Sequence, residues 1–133
     1  MRMIFVNLPV KDLGASTRFF TALGFEFDEQ FTTDDAACMV VDDNIFVMLL
    51  VEPRFKDFIN GEISDATQAT EVLTALSCDT REQVDELVEK AIAAGGKPWK
   101  PAIEEGPMYS GSFQDPDGHV WELLHMRQET SGS

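Results

Sequence analysis

Apolar and polar positions change their period several times along this chain, and each change marks an element. Met3 to Val10 is a run of β-favouring apolar residues, with Pro9 marking a strand end or an edge position. Asp12 is a good N-cap. After it Leu13, Thr17, Phe20 and Gly24, with Phe19 and Leu23 beside them, recur at helical spacing until Leu23-Gly24 stops the pattern. Strands follow at Phe25 to Thr33, Ala36 to Val41 and Asn44 to Val51. Thr33-Asp34-Asp35 and Asp42-Asp43-Asn44 separate them, side chains that tolerate the backbone of a tight turn.

The same order then returns. Leu73 to Cys78 is a strand, and Asp79-Thr80 followed by Glu82-Gln83 is a capping-box start to a helix. That helix carries Val84, Leu87, Val88, Ala91 and Ile92 on one stripe and Glu82, Asp85, Glu86, Glu89 and Lys90 on the other, ending at Gly95-Gly96. Lys97 to Ile103, Tyr109 to Gln114 and, after the Asp117-Gly118 turn, His119 to Met126 complete the second set of strands. The repeat is one of architecture, with Val10-Lys11-Asp12 matching Ser77-Cys78-Asp79. It gives a first module over 1–52, a connecting loop over 53–70, a second module over 71–126 and a polar tail over 127–133, one domain overall. A loop of that length, here carrying Phe55, Phe58 and Ile59, usually serves as a lid, an insertion or an interface.

Composition narrows the function classes. Ten Lys and Arg against 24 Asp and Glu leave a formal charge of −14, and the basic residues are scattered from Arg2 to Arg127. Nucleic acid and anionic membrane surfaces, which are bound through clustered cations, are not expected partners. The longest apolar run, Ile45 to Val51, is far short of the roughly 20 residues of a membrane-spanning helix. Met1 to Phe5 runs directly into a strand pattern with no room for a signal peptide's apolar segment. Cys38 and Cys78 form neither a disulfide framework nor a CxxC motif, so a reducing cytoplasm is the expected compartment.

Two motifs carry a family resemblance. Asn7-Leu8-Pro9-Val10-Lys11-Asp12-Leu13, continuing to Phe19-Phe20 and Leu23-Gly24-Phe25, resembles the opening of the vicinal oxygen chelate superfamily, the glyoxalase, bleomycin-resistance and extradiol dioxygenase group. Phe113-Gln114-Asp115-Pro116-Asp117-Gly118-His119-Val120-Trp121-Glu122-Leu123 is similar to that family's last hairpin and is the more specific. The resemblance implies an α+β fold of two βαβββ modules, with a curved mixed sheet around a cavity and helices on the outer face, usually completed in a homodimer. It also implies a divalent metal held by one His or Glu on each of four strands, polarising vicinal oxygens of a substrate. The four positions fall here on Phe5, Met48, Leu73 and Glu122, and only Glu122 has a suitable donor. A slip of one residue brings in Ile4, Val6, Val47, Leu49, Val72 or Thr74, none of them a ligand.

Glu122 is therefore the one candidate catalytic residue. On alternation it shares a face with Val120, Leu124 and Met126, where desolvation favours a proton-transfer role. Its other reading is a family remnant hydrogen-bonded to a nearby donor. Phe5, Asn7, Phe46, Met48, Leu73, Trp99 and Tyr109, with Phe55 and Phe58 from the loop, are the candidate lining of an apolar cavity, and most of them serve equally as ordinary core. His119 and His125 lie about 20 Å apart along a strand and cannot share an ion; a turn residue and a strand-end surface residue are expected. Glu52 and Glu71 fall at strand ends, either on the cavity rim or in solvent. Both cysteines read as structural, although Cys78 precedes a helix N-terminus that favours its thiolate. The leading expectation is a homodimeric, metal-independent protein binding a small hydrophobic or aromatic molecule, with no cofactor. The alternative is a lyase, isomerase or dioxygenase using Zn, Ni, Mn or Fe.

Overall fold

The computed structural model describes residues 1–127, so the polar tail falls outside the described residues except for Arg127. The chain divides into two compact units, Met1–Asp65 and Ala66–Ser133. The first contains β1 (Ile4–Val10), α1 (Leu13–Ala22), β2 (Glu26–Phe27), β3 (Ala36–Asp42), β4 (Ile45–Val51) and α2 (Glu52–Lys56). The second contains β5 (Leu73–Ser77), α3 (Arg81–Ala93), β6 (Lys97–Pro98), β7 (Ile103–Glu105), β8 (Met108–Gln114) and β9 (Val120–Met126). Each unit has its own mixed sheet. The first runs β1-β4-β3-β2, with β1 and β4 parallel and the rest antiparallel. The second runs β5-β9-β8-β6, with β5 and β9 parallel and β7 also paired to β8.

Both long helices begin and end by the same chemistry. The Asp12 carboxylate accepts a hydrogen bond from Ala15 N at 3.0 Å, and Thr80 Oγ1 accepts one from Gln83 N at 3.1 Å. Gln83 Oε1 in turn accepts from Asp79 N at 2.8 Å, so the expected capping box forms around Thr80. The helices stop where Gly24 and Gly95 adopt φ of +103° and +107°, which a side chain would resist.

Each helix covers one face of its sheet. In the first unit Val10, Phe19, Phe20, Leu23, Met39, Val47 and Leu49 are buried together as the core under α1. In the second, Val84 and Ala91 of α3 meet Phe113, Trp121 and Leu123. Gly111 lets α3 approach β8, since a Cβ there would stand 3.0 Å from methyls of both Val84 and Val88. Ile92, expected on the buried stripe, is 41% exposed.

Three boundaries differ from the sequence pattern, each for a local reason. The strand expected over Phe25 to Thr33 is cut to Glu26–Phe27 because the Asp28 side chain caps a short 3-10 turn, accepting from Gln30 N at 2.9 Å. The strand expected over Lys97 to Ile103 breaks after Lys97–Pro98 and resumes at Ile103, with Pro98 and Pro101 supplying no N–H to a ladder. The connecting segment opens not as loop but as α2, with Pro53 in its first turn. Glu52 begins that helix rather than ending a strand on a cavity rim, and Glu71 is exposed ahead of β5. No helix among the described residues is long and apolar enough to cross a membrane.

Candidate functional site

Strand alternation turns one face of each sheet toward its long helix and the other away from it. In the first unit, Val47 and Leu49 of β4 point into the core, and Phe46 and Met48 point the other way, half-buried. The parallel register pairs Phe5 with Phe46 and Asn7 with Met48. Phe5 and Phe46 stack with ring centroids 5.0 Å apart and planes 13° apart, yet Phe5 remains 49% exposed. Asn7 is exposed, and its Nδ2 donates to the Phe5 carbonyl oxygen at 3.2 Å. The outcome is an aromatic platform beside a thioether and one amide.

The second unit is built on the same plan from different residues. Ala75 and Ser112 flank Glu122 from β5 and β8. Glu122 is half-buried and makes no hydrogen bond or ion pair with any described residue. The Ser112 hydroxyl is bonded to the Lys100 backbone, accepting from Lys100 N at 3.1 Å and donating to Lys100 O at 3.4 Å. Leu73 is 51% exposed at the edge of the sheet. Phe5 stands two positions before the partner of Met48, and Leu73 stands two before Ala75, the partner of Glu122. The registers thus match Phe5 with Leu73 and Met48 with Glu122 across the repeat.

Phe5 and Met48 in the first unit offer no hard donor for a divalent metal, and in the second Leu73 offers none and Glu122 one carboxylate. Phenyl and isobutyl groups have no lone pair, a thioether is a soft donor, and a single carboxylate leaves most coordination positions empty. Among the described residues no group of three or more His, Cys, Asp or Glu comes together.

The packing places the other candidate residues, and it moves two of them, Tyr109 and His125, from where they were expected. Tyr109 is not on the open face. Its hydroxyl donates to Asp85 Oδ1 of α3 at 2.6 Å, and the Arg81 guanidinium lies 4.0 Å over its ring while pairing with Glu104 at 2.7 Å. The hydrogen bond to Asp85, then burial, raises its phenol above the ordinary value. Phe55 is half-buried in α2, whereas Phe58 is 65% exposed with Arg54 stacked 4.5 Å above it. Trp99 is 36% exposed between β6 and β7. His125 is a half-buried residue, not a surface one: Nδ1 lies 3.2 Å from the Cys78 carbonyl oxygen, which places a proton on Nδ1. The Cys78 thiol is raised by burial and then by Asp79, so the helix N-terminus does not prevail. Burial and then Asp28 likewise raise Cys38.

Asp115, part of the second motif, was not among the expected site residues. This carboxylate is 3% exposed and accepts three hydrogen bonds, from Asp117 N at 2.9 Å and His119 N at 3.0 Å on Oδ1, and from Trp121 Nε1 at 3.0 Å on Oδ2. Burial outweighs these bonds and the nearby His119, so its pKa is raised. It ties the β8-to-β9 turn to the strand that carries Glu122. An Asp-Pro-Asp-Gly-His run directly before an indole was the signal that could have found it.

This fold is shared with solved structures named as glyoxalase/bleomycin resistance protein/dioxygenase. Residues 2–42 match the family model described as Bleomycin resistance protein-like N-terminal. The chain is similar to a hypothetical protein from S. aureus, 28% identical at a TM-score of 0.80, with 94% of each chain covered. It is also similar to a glyoxalase/bleomycin resistance protein/dioxygenase family enzyme from Burkholderia phytofirmans, 21% identical at a TM-score of 0.78, covering 95% of this chain and 99% of that one. A genomically encoded fosfomycin resistance protein, FosX, from Listeria monocytogenes is 22% identical at a TM-score of 0.69, covering 97% of this chain and 96% of that one. Comparison with curated proteins finds no match.

Proposed function

We propose that this protein binds a small hydrophobic or aromatic molecule without a metal, as a cytoplasmic homodimer whose second copy completes the cavity. The observation that carries this reading is the stacked and half-exposed Phe5–Phe46 pair, which lies where a metal-dependent member would need donors. An exposed ring pair next to Met48 offers dispersion and stacking to a flat ligand, and neither phenyl nor thioether offers a bond to a hard cation. The enzyme alternative requires ligands that Phe5, Met48 and Leu73 do not supply. Burying ligand surface over these residues also removes apolar area from water, at about 25 cal/mol per Å².

The test is a fluorescence titration with the uncharged probe N-phenyl-1-naphthylamine, with and without a chelator. Saturable binding in the micromolar range or tighter is expected, unchanged by chelator and weakened about tenfold by Phe5→Ala, a loss of about 1.4 kcal/mol. Binding that disappears with chelator, or that ignores both Phe5→Ala and Phe46→Ala, overturns the reading. Sedimentation of the unliganded protein as a monomer overturns the homodimer.

A further inference from the structure

The segment that follows α2 holds Asn60-Gly61, an asparagine before the one residue that has no side chain to shield its backbone nitrogen. Both residues are exposed, and Gly61 stands at a φ of +93° with nothing within 4 Å of where a Cβ would be. Neither makes a hydrogen bond with any described residue, so no protein contact holds the Asn60 amide or occupies the Gly61 N–H. The other asparagines and the Asp-Gly pair are guarded. Asn7 lies mid-strand in β1, its Nδ2 on the Phe5 carbonyl at 3.2 Å, with Leu8 after it. Asn44 precedes the β-branched Ile45, where β4 begins. Asp117-Gly118 has the right sequence, but Gly118 is buried and its N–H donates to the Asp115 carbonyl at 3.0 Å, while Asp117 N donates to the Asp115 carboxylate at 2.9 Å.

From this contrast we propose that Asn60 is a site of spontaneous modification, a slow one-way charge switch in the connecting segment. The deprotonated Gly61 nitrogen attacks Asn60 Cγ and closes a five-membered succinimide. The Cγ–Nδ2 bond breaks, and the amide nitrogen leaves as ammonia, carrying the proton that Gly61 gave up. Water then opens the ring. Opening at Cγ gives aspartate; opening at the backbone carbonyl carbon gives isoaspartate, which routes the chain through the side chain and lengthens the backbone by one carbon. The balance is one water consumed and one ammonia released. Either product adds a carboxylate, taking the formal charge from −14 to −15. The change falls inside the stretch spanned by the exposed Lys56–Glu62 pair, 3.5 Å apart. It touches no core residue, so the fold survives it.

Peptide mapping by mass spectrometry after incubation in neutral and mildly alkaline buffer tests this. The Asn60 peptide is expected to gain about 1 Da and to split into two isomers, about tenfold or more ahead of the Asn7 and Asn44 peptides. The reaction should run faster in the alkaline buffer, and the intact protein should shift to a more acidic position on ion exchange. Asn60→Gln should abolish that early shift without changing the melting temperature. The chain unfolded in guanidinium chloride sets the unguarded rates: native Asn60 should react within about tenfold of its unfolded rate, whereas isomerisation at Asp117 should be slowed by more than that in the native protein. Native Asn60 reacting more slowly than this limit overturns the proposal, as does Asn7 or Asn44 changing equally fast. An acidic shift that persists in Asn60→Gln overturns it too, and so does native Asp117 isomerising at its unfolded rate, since the bonded glycine N–H would then guard nothing.

Discussion

Replacing Asp115 by Ala removes the acceptor of three hydrogen bonds from a site that is almost completely buried. The Trp121 indole N–H is the most serious loss, because Trp121 is only 1% exposed. A stranded buried donor costs about 1–3 kcal/mol, and the two backbone donors of Asp117 and His119, half-buried at the turn, add about 0.5–1 kcal/mol each. Against this stands relief from burying a charge, which the raised pKa shows to be unfavourable at neutral pH. The net expectation is about 2–4 kcal/mol, a large part of the roughly 5–15 kcal/mol by which domains are stable. Urea unfolding followed by tryptophan fluorescence measures it. The pH dependence has a definite sign. With the folded pKa above the unfolded one, the native state holds its proton longer, so this group's contribution is fully present below the ordinary carboxylate pKa. It is lost as the pH rises through the raised value. The stability advantage of wild type over Asp115→Asn should therefore shrink from acid toward neutral pH. A cost for Asp115→Ala under about 0.5 kcal/mol, or an advantage over Asn that grows with pH, refutes the account.

Other expectations follow from the same packing. Gly118→Ala places a Cβ 2.9 Å from Thr67 N and 3.0 Å from the Ala66 carbonyl at a φ of +90°, and should lower the melting temperature by at least as much as a ~2 kcal/mol defect. Gly111→Ala meets only methyl groups of Val84 and Val88, so it should cost less, about 1 kcal/mol, and a Val88→Ala partner should recover part of that in a double-mutant cycle. Tyr109→Phe breaks a surface hydrogen bond on the helix side and should leave probe affinity unchanged; a tenfold loss would return Tyr109 to the binding face. Both thiols should react with a disulfide reagent at pH 8 more slowly than free cysteine, since burial raises each of them.

The sequence by itself determined the two long helices, the main strands around them, the repeat and the absence of metal donors at Phe5, Met48 and Leu73, because these depend on local periodicity, capping and side-chain chemistry. Asp12, Thr80 and the glycines after each long helix act over three or four residues, and their effects were legible without tertiary contacts. Orientation was legible only where alternation was clean, as along β4 and β9. Tyr109 looked equally suited to either face, and what decided its place was Asp85 on a helix 24 residues away in sequence. Asp115 looked like an ordinary turn acid, and only the burial of Trp121 beneath it made it a three-bond anchor. The isolation of Glu122 is likewise a tertiary fact. A sequence shows that a carboxylate is present on a strand, but only the assembled sheet shows that it lies between Ala75 and Ser112, half-buried and with no hydrogen bond or ion pair to a described residue.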